Sequence, residues 1–187
     1  IMNIWIKERN EPFDEARPIT ADTTRPVSGY FWSANSEYVL YTQDKGGNEN
    51  YHIYAVDPDA EPKEDTGVPP ARDLTDMEDI RAQIYSVPEA TPNEIIIGLN
   101  DRNKQLHDVY RLNIETGEKE LLIKNDKNVA GWIADRKGEV RLAMRQTQTG
   151  GMELLKVQED TLLPVYEVSS QESVNPLRFH KNNEQLY

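Results

Sequence analysis

The sequence predicts an all-β protein, built as an incomplete β-propeller of four-stranded blades. Turn-forming residues followed by a glutamate and an apolar run occur four times, with the glutamates at positions 37, 94, 139 and 184. Between these points, short stretches alternate apolar and polar residues, which is the period of a β-strand. No segment sustains a helical apolar pattern beyond two turns. Four strands in about 45 residues is the spacing of a propeller blade.

The phase of this repeat assigns a place to each strand. The stretches around Trp5 and Ile19 are predicted as the third and outer strands of a first blade, residues 1–20. Full blades are predicted to follow at the residue ranges 27–75, 79–125 and 129–168, and residues 174–187 are predicted to start another blade. These pieces amount to about four blades and do not close a ring. Since both ends lie in strand-like stretches, we expect the chain to be part of a longer protein.

The first repeat interval is longer than the others because of residues 57–73, which contain four prolines and a glycine. Proline has no backbone hydrogen to donate, so such a stretch cannot pair regularly. We predict a loop inserted between the third and outer strands of the blade. The alternative is a disordered linker between two domains, but the repeat continues unchanged beyond it.

The stretch QDKGGNENYHIYAVD, residues 43–57, gathers acids, amides and a histidine. It could form either a metal or catalytic site or a turn between strands. Gly46 and Gly47 suit the positive φ angles of a tight hairpin. Asp44 and Asn50 can bond to backbone amides of the turn. The sequence therefore predicts a hairpin here.

Metal and cofactor motifs are missing from the sequence. A calcium loop counted from residue 44 would need a glycine where Glu49 stands. His52, His107 and His180 lack the spacing of zinc ligands. None of the serines lies in Gly-x-Ser-x-Gly, and no phosphate loop or dinucleotide fingerprint occurs. We predict no metal, no cofactor and no catalytic residue in this chain.

The amino-acid composition argues against nucleic acid and membranes as partners. Lys and Arg number 21 against 33 Asp and Glu, a net charge of −12, which repels phosphate backbones and disfavours nucleic acid. No apolar run approaches the length of a membrane helix, so no membrane partner is predicted. The chain has no cysteine, which rules out disulfides and leaves a cytoplasmic or a periplasmic location open.

A family resemblance is carried by the segments ARPITADTTRPVSGYFWSANSEYVLYTQDKGGNENYHIYAVD, RDLT, GLNDRNKQLHDVYRLNIETGE and VAGWIADRKGEVRLAMR, in that order. They resemble the N-terminal propeller of prolyl oligopeptidase family serine peptidases, in the branch of acylaminoacyl peptidases and dipeptidyl-peptidase-like enzymes. The resemblance covers residues 4–145 and weakens afterwards. Part of it is shared with TolB-type propellers.

The resemblance implies a larger enzyme. In this family a seven- or eight-bladed propeller covers an α/β-hydrolase domain that carries the catalytic Ser, Asp and His, and it limits access to short peptides. The expected partners are therefore the protein's own C-terminal α/β-hydrolase domain and a peptide substrate. The alternative is a non-enzymatic TolB-type propeller that binds a protein. A propeller glycosidase or lectin has no supporting motif. The open blade edges also predict self-association.

Some relatives in this family hold a peptide's free amine with propeller acids. The loops between second and third strands, and those leading into the next blade, are expected on one face. Residues 23–25, 44–50, 79–81 and 100–103 are placed there. Glu49 is the predicted amine ligand and Arg25 the predicted ligand for a substrate carboxylate or carbonyl, unless both form internal salt bridges. Asn50, Asp101 and Arg102 complete the predicted substrate-binding set.

Overall fold

The structure is a computed structural model that describes residues 1–159 and 161–187. Apart from one three-residue 3-10 helix, Phe13–Glu15, the regular elements of this described part are β-strands. None of its helices has the length and apolar character needed to cross a membrane. The predicted all-β class is confirmed.

The described residues form fourteen strands that follow each other in antiparallel pairs. In chain order they are β1 (Trp5–Ile6), β2 (Arg17–Pro18), β3 (Gly29–Trp32), β4 (Val39–Asp44), β5 (Tyr51–Val56), β6 (Ala71–Asp73), β7 (Ala82–Ser86), β8 (Glu94–Asn103), β9 (Leu106–Asn113), β10 (Lys119–Ile123), β11 (Gly131–Ala134), β12 (Val140–Gln146), β13 (Met152–Gln158) and β14 (Thr161–Val168).

Three four-stranded sheets run in simple chain order, namely β3 to β6, β7 to β10 and β11 to β14, while β1 and β2 pair separately. A four-stranded meander in which each strand neighbours the next is the unit of a propeller blade. The chain divides into two compact units, Ile1–Ala82 and Gln83–Tyr187.

In the unit Ile1–Ala82, apolar residues from the β1–β2 pair pack with apolar residues of the β3–β6 sheet. The buried members of this core are Ile4, Ile19, Val27, Val39, Tyr41 and Val56. The alternation of large apolar and polar residues along β4 and β5 places one set of side chains in this core.

Residues 57–70 connect β5 to β6 within one sheet, which confirms the predicted inserted loop and excludes the linker between two domains. The loop is folded back on itself: the Gly67 amide donates to the Lys63 carbonyl oxygen at 2.8 Å, and Lys63 donates to Val68 at 3.0 Å. Val68 is buried. Residues 57–70 therefore form a loop that is held by its own backbone hydrogen bonds.

The predicted hairpin at residues 44–51 is confirmed. β4 and β5 pair in a continuous register that ends with Asp44 opposite Tyr51. Gly46 and Gly47 have φ angles of +67° and +84°, the left-handed region that glycine enters at little cost. Residues 43–57 therefore form a turn between two strands, as predicted.

The polar residues that flank this turn act differently from each other. Asp44 Oδ2 accepts the amide hydrogen of Glu49 at 3.1 Å, as predicted. Asn50 does not accept from the turn; its own amide donates to Asn48 Oδ1 at 3.0 Å. The prediction for Asn50 was wrong because Asn48, two residues earlier, has the spacing that suits an Asx turn.

In the unit Gln83–Tyr187, two blades pack face to face. Their shared core contains Ile96, Val109, Val129, Trp132, Ala143 and Leu155. After β14 the chain forms a single antiparallel bridge between Phe179 and Leu186.

Candidate functional site

The first group of predicted site residues lies at one end of the β3–β6 sheet. Arg25 donates from Nε to Asp44 Oδ1 at 2.8 Å and from Nη2 to Asp44 Oδ2 at 3.0 Å. Asp22 holds this segment by accepting the amide hydrogen of Arg25 at 2.6 Å. The two-point pair joins the loop before β3 to the loop between β4 and β5. Residues 23–25 and 44–50 are therefore brought together.

The carboxylate of Asp44 is buried, with only 1 % of its side chain exposed. Hydrogen bonding from Arg25 holds the pKa of the Asp44 carboxyl below its usual value, although burial opposes this; the amide of Glu49 adds to the lowering. Arg25 is thus engaged by an internal carboxylate, which is the salt-bridge alternative that the sequence left open.

We expect the free energy of unfolding to decrease less on acidification in Asp44→Asn than in the wild type. Because the folded pKa lies below the unfolded value of about 3.9, the carboxylate contributes stability that is fully present above that value. This contribution is lost as pH falls through the lower, folded pKa. Urea unfolding from neutral to acidic pH should show a smaller decline in the variant than in the wild type.

Asp59→Asn provides the matched control for this titration. Asp59 also pairs with an arginine, Arg17, at 2.9 Å, but 89 % of its side chain is exposed. An exposed pair of this kind contributes little. If Asp44→Asn and Asp59→Asn gave the same decline in acid, the role assigned to the buried pair would be wrong.

Glu49 has an exposed side chain in the same loop. Its φ of +58° is unusual for a residue with a side chain, and the bond from its amide to Asp44 holds this conformation. Within the described residues, no hydrogen bond or ion pair engages its carboxylate, although Arg25 is near enough to interact electrostatically. Glu49 is therefore accessible to a ligand.

Two further predicted elements adjoin this loop. Asn50 is half-buried and lies directly before β5. The guanidinium of Arg81 lies 5.6 Å from the ring centre of Tyr51, so the segment 79–81 reaches the same end of the sheet. The residues predicted for this face in the unit Ile1–Ala82 thus lie around one loop.

The second group of predicted residues lies in the unit Gln83–Tyr187. Arg102 makes a two-point pair with Asp108, at 2.8 and 2.9 Å. It also donates to the carbonyl oxygen of Asn125 at 3.2 Å and pairs with Asp126 at 2.9 Å. Arg102, near the end of β8, therefore ties this strand to β9 and to the loop that leads into β11.

Asp108 is the buried anion that pairs with Arg102. Burial alone would raise the pKa of its carboxyl, but the hydrogen bonds from Arg102 and from the amide of Asn125 outweigh it and lower the pKa. A buried carboxylate satisfied in this way is a structural anchor.

Asp101 has one satisfied and one unsatisfied carboxylate oxygen. Its Oδ2 accepts the hydroxyl hydrogen of Tyr110 at 2.8 Å. Its Oδ1 is buried and has no hydrogen-bond partner among the described residues. Burial and the bond to Asp101 raise the pKa of Tyr110 to about 12. A buried acceptor without a donor is costly.

Sequence reasoning missed the buried pair of His52 and Asp73. His52 is 6 % exposed, and its Nδ1 lies 2.7 Å from Asp73 Oδ2. Asp73 Oδ1 also accepts the amide hydrogen of Thr75 at 3.0 Å. The sequence contained a signal: in the repeat, Tyr54 corresponds to Tyr110, which aligns His52 with the anchor Asp108.

Two named proteins are similar to this chain in sequence. The chain is 38 % identical over 156 residues to dipeptidyl aminopeptidase BIII of Pseudoxanthomonas mexicana, covering 83 % of this chain and 21 % of that protein. It is 29 % identical over 141 residues to dipeptidyl peptidase family member 6 of Caenorhabditis elegans, covering 73 % and 18 %. The chain thus spans about a fifth of the length of these relatives. No family model matches the sequence.

Solved structures show the same fold at low sequence identity. Prolyl oligopeptidase B from Galerina marginata superimposes with a TM-score of 0.59 at 11 % identity, covering 94 % of this chain and 24 % of that chain. TolB from Acinetobacter baumannii gives 0.56 at 15 % identity, covering 98 % and 42 %. These likenesses confirm the predicted propeller fold.

Proposed function

We propose that this chain, a propeller segment similar to those of prolyl oligopeptidase family peptidases, limits and guides substrate access in a serine peptidase that cleaves short peptides. The predicted resemblance to this family is confirmed by the sequence relatives and the fold neighbours. The observation that carries the proposal is the 38 % identity over 83 % of the chain to a protein named as a dipeptidyl aminopeptidase.

The same observation favours a peptidase over a TolB-type binding module. The likeness to TolB is one of fold, at 15 % identity, and folds host many functions. The likeness to the dipeptidyl aminopeptidase is one of sequence, at 38 % identity over 83 % of this chain. A peptidase is therefore the better supported assignment.

The proposed division of labour leaves catalysis outside this chain. A serine in an α/β-hydrolase domain of the same protein would attack the peptide carbonyl, with a histidine as general base. The propeller would face this domain and admit only peptides that fit through it. Its contribution is selection and positioning of the substrate, which raises the effective concentration of the scissile bond at the nucleophile.

Glu49 is the residue proposed to bind the free amine of a peptide. Its carboxylate is exposed, its backbone is fixed by Asp44, and Arg25 beside it is neutralised by the same aspartate. A positioned carboxylate forms a charge-assisted hydrogen bond with an ammonium group. Asp101, from the predicted substrate-binding set, is proposed separately as an acid that binds substrate in the unit Gln83–Tyr187.

The test replaces Glu49 by Gln in the intact enzyme. Loss of a charged hydrogen bond should lower kcat/KM for a dipeptidyl anilide with a free amine by about tenfold to a hundredfold. The same anilide with an acetylated amine should be unaffected, because it has no charge for Glu49 to bind. The measurement is the ratio of kcat/KM for the two substrates.

Glu61→Gln is the matched control, because Glu61 is an exposed acid in the loop of residues 57–70. It should leave the ratio unchanged. An unchanged ratio in Glu49→Gln would remove Glu49 from the proposed site. Absence of any peptidase activity in the intact protein would instead favour the TolB-type binding module.

A further inference from the structure

A groove of about 400 Å³ lies between two neighbouring blades of the unit Gln83–Tyr187. One wall consists of the end of β10 and the loop after it, and the other wall consists of β13 and β14. Small-molecule sites in proteins are typically clefts of about 300–1,000 Å³ with mostly apolar walls. Neither Asp101 nor Arg102, the predicted substrate residues of this unit, lines the groove, so substrate binding does not explain it.

A β-bulge shapes the β10 wall of the groove. Leu121 pairs with Tyr110 of β9, and Ile123 pairs with the next residue, Val109, so Leu122 is an extra residue in the ladder. A bulge bends its strand and redirects side chains. Leu122 and Ile123 both pack against the core of this unit, whereas Leu121 lines the groove with 41 % of its surface exposed. This wall therefore presents consecutive aliphatic side chains.

The blade of β11 to β14 supplies the rest of the apolar lining. Val157 in β13 and Leu162 in β14 are half-buried and pack against the same core. Trp132 in β11 is 6 % exposed, and its indole nitrogen donates to the carbonyl oxygen of His107 at 3.4 Å. The polar atom of Trp132 is thus bonded within the protein. Burial of an apolar group against these side chains is favourable because it removes apolar surface from water.

The charged side chains of the groove differ between its two walls. Lys124 and Lys127 follow β10 and are exposed. Asp126, between them, pairs with Arg102 at 2.9 Å, so the lysines give this wall an excess of positive charge. Glu159 follows β13 and is exposed on the other wall. An anion is therefore attracted to the wall of β10 and repelled from the wall that carries Glu159.

We propose that this groove binds a small carboxylate with an aliphatic chain. The chain would lie against Leu122, Val157 and the other apolar lining residues, and the carboxylate would pair with Lys124 at the rim. Burial of the chain supplies most of the affinity, and the charges select an anion over a cation and fix its direction in the groove. The inference does not depend on the proposed peptidase function.

The first test titrates decanoate, below its micelle concentration, into the intact protein and follows the heat of binding. Each methylene removed from the chain should weaken binding by about fourfold, so octanoate should bind about tenfold to twentyfold more weakly than decanoate. Decyltrimethylammonium has the same chain and the opposite charge, and it should bind more weakly than decanoate. Equal affinities for the anion and the cation, or no binding of decanoate, would overturn the proposal.

Leu121→Ser tests the apolar wall, and Leu163→Ser is its matched control. Leu121 and Leu163 lie on the outer strands β10 and β14 and are 41 % and 44 % exposed, but only Leu121 lines the groove. Leu121→Ser should weaken decanoate binding by about three- to tenfold, and Leu163→Ser should leave it unchanged. Equal effects of the two substitutions would mean that decanoate adsorbs to exposed apolar surface, which would overturn the groove as a site.

Lys124→Gln tests the charged rim, and Lys156→Gln is its control because Lys156 is exposed on β13 and does not line the groove. Lys124→Gln should weaken decanoate by about two- to fivefold, the effect of one exposed ion pair. It should not weaken decyltrimethylammonium, which has no charge for a lysine to attract. If Lys124→Gln and Lys156→Gln changed decanoate binding equally, the direction assigned to the ligand would be wrong. The binding assay needs no peptidase activity, so failure of either proposal leaves the other standing.

Discussion

Substituting Gly151 by Ala should lower the free energy of unfolding by about 3 kcal/mol, the upper range for overpacking a buried position. A Cβ atom placed on Gly151 would overlap the carbonyl oxygen of Val168 and lie 3.2 Å from its carbonyl carbon. Gly151 is buried, and its amide donates to Thr147 Oγ1 at 2.9 Å. The obstacle is strand backbone, which cannot move without disturbing the pairing of Met152 with Val168.

Gly131→Ala is the control for this substitution. Gly131 lies in β11, and a Cβ atom placed there meets nothing within 4 Å. The alanine restricts the unfolded chain, so the change should be neutral or stabilising by up to about 1 kcal/mol. Urea unfolding followed by circular dichroism measures both variants. Equal stabilities for the two would contradict the proposed overlap at Gly151.

The hairpins of the fold could be predicted from the sequence because their signals are local. The pairing of β4 with β5 follows from apolar alternation on each side of Gly46 and Gly47. The loop of residues 57–70 could be placed because prolines exclude regular pairing there. Each of these inferences needs only residues that are neighbours in the chain or across one turn.

The partners of the site arginines could not be predicted in the same way. The chain has 33 acidic residues for 21 basic ones, so charge alone leaves each arginine many partners. Arg25 forms an ion pair with Asp44, nineteen residues away in the sequence, and Arg102 forms ion pairs with Asp108 and Asp126. Loop packing decides these pairs, and only coordinates reveal it. Arg25 and Arg102, both predicted at the substrate, each form an ion pair with a buried carboxylate of this chain.

The repeat also contains information about which polar residues have charged partners. Aligning Tyr54, Tyr110 and Leu155 places His52, Asp108 and Glu153 at one position of the third strand. Each has a charged partner, namely Asp73 for His52, Arg102 for Asp108 and Arg145 for Glu153. A polar residue that recurs with a charged partner at the same position of three blades differs from an ordinary solvent-exposed residue. The position pairs with a charged residue of a neighbouring strand, and the partner differs from blade to blade.

The buried carboxylate of Asp135 joins two segments of the unit Gln83–Tyr187. It accepts the amide hydrogens of Lys137 at 2.9 Å and Glu139 at 3.1 Å. It also accepts from Arg141 Nη1 at 3.1 Å and from Asn183 Nδ2 at 2.7 Å. One side chain thus closes the turn before β12 and ties the segment after β14 to it.

Asp135→Ala should therefore lower the free energy of unfolding by about 2–3 kcal/mol, the range for hydrogen bonds lost to a charged and fully buried acceptor. Two turn amides, the Asn183 side chain and the Arg141 guanidinium all lose their acceptor. Asp126→Ala is the control, because Asp126 pairs with Arg102 at 2.9 Å but keeps 64 % of its side chain exposed. It should cost no more than about 1 kcal/mol in urea unfolding.

Asn183→Ala separates the two tasks of this anchor. It removes the link to residues 177–187 and leaves the turn bonds of Asp135 to Lys137 and Glu139 in place. We expect a smaller loss of stability than in Asp135→Ala, and faster hydrogen exchange confined to residues 177–187 and the Arg136 amide. Equal losses in the two variants would mean that the turn bonds contribute nothing, and that the carboxylate serves only the junction between the segments.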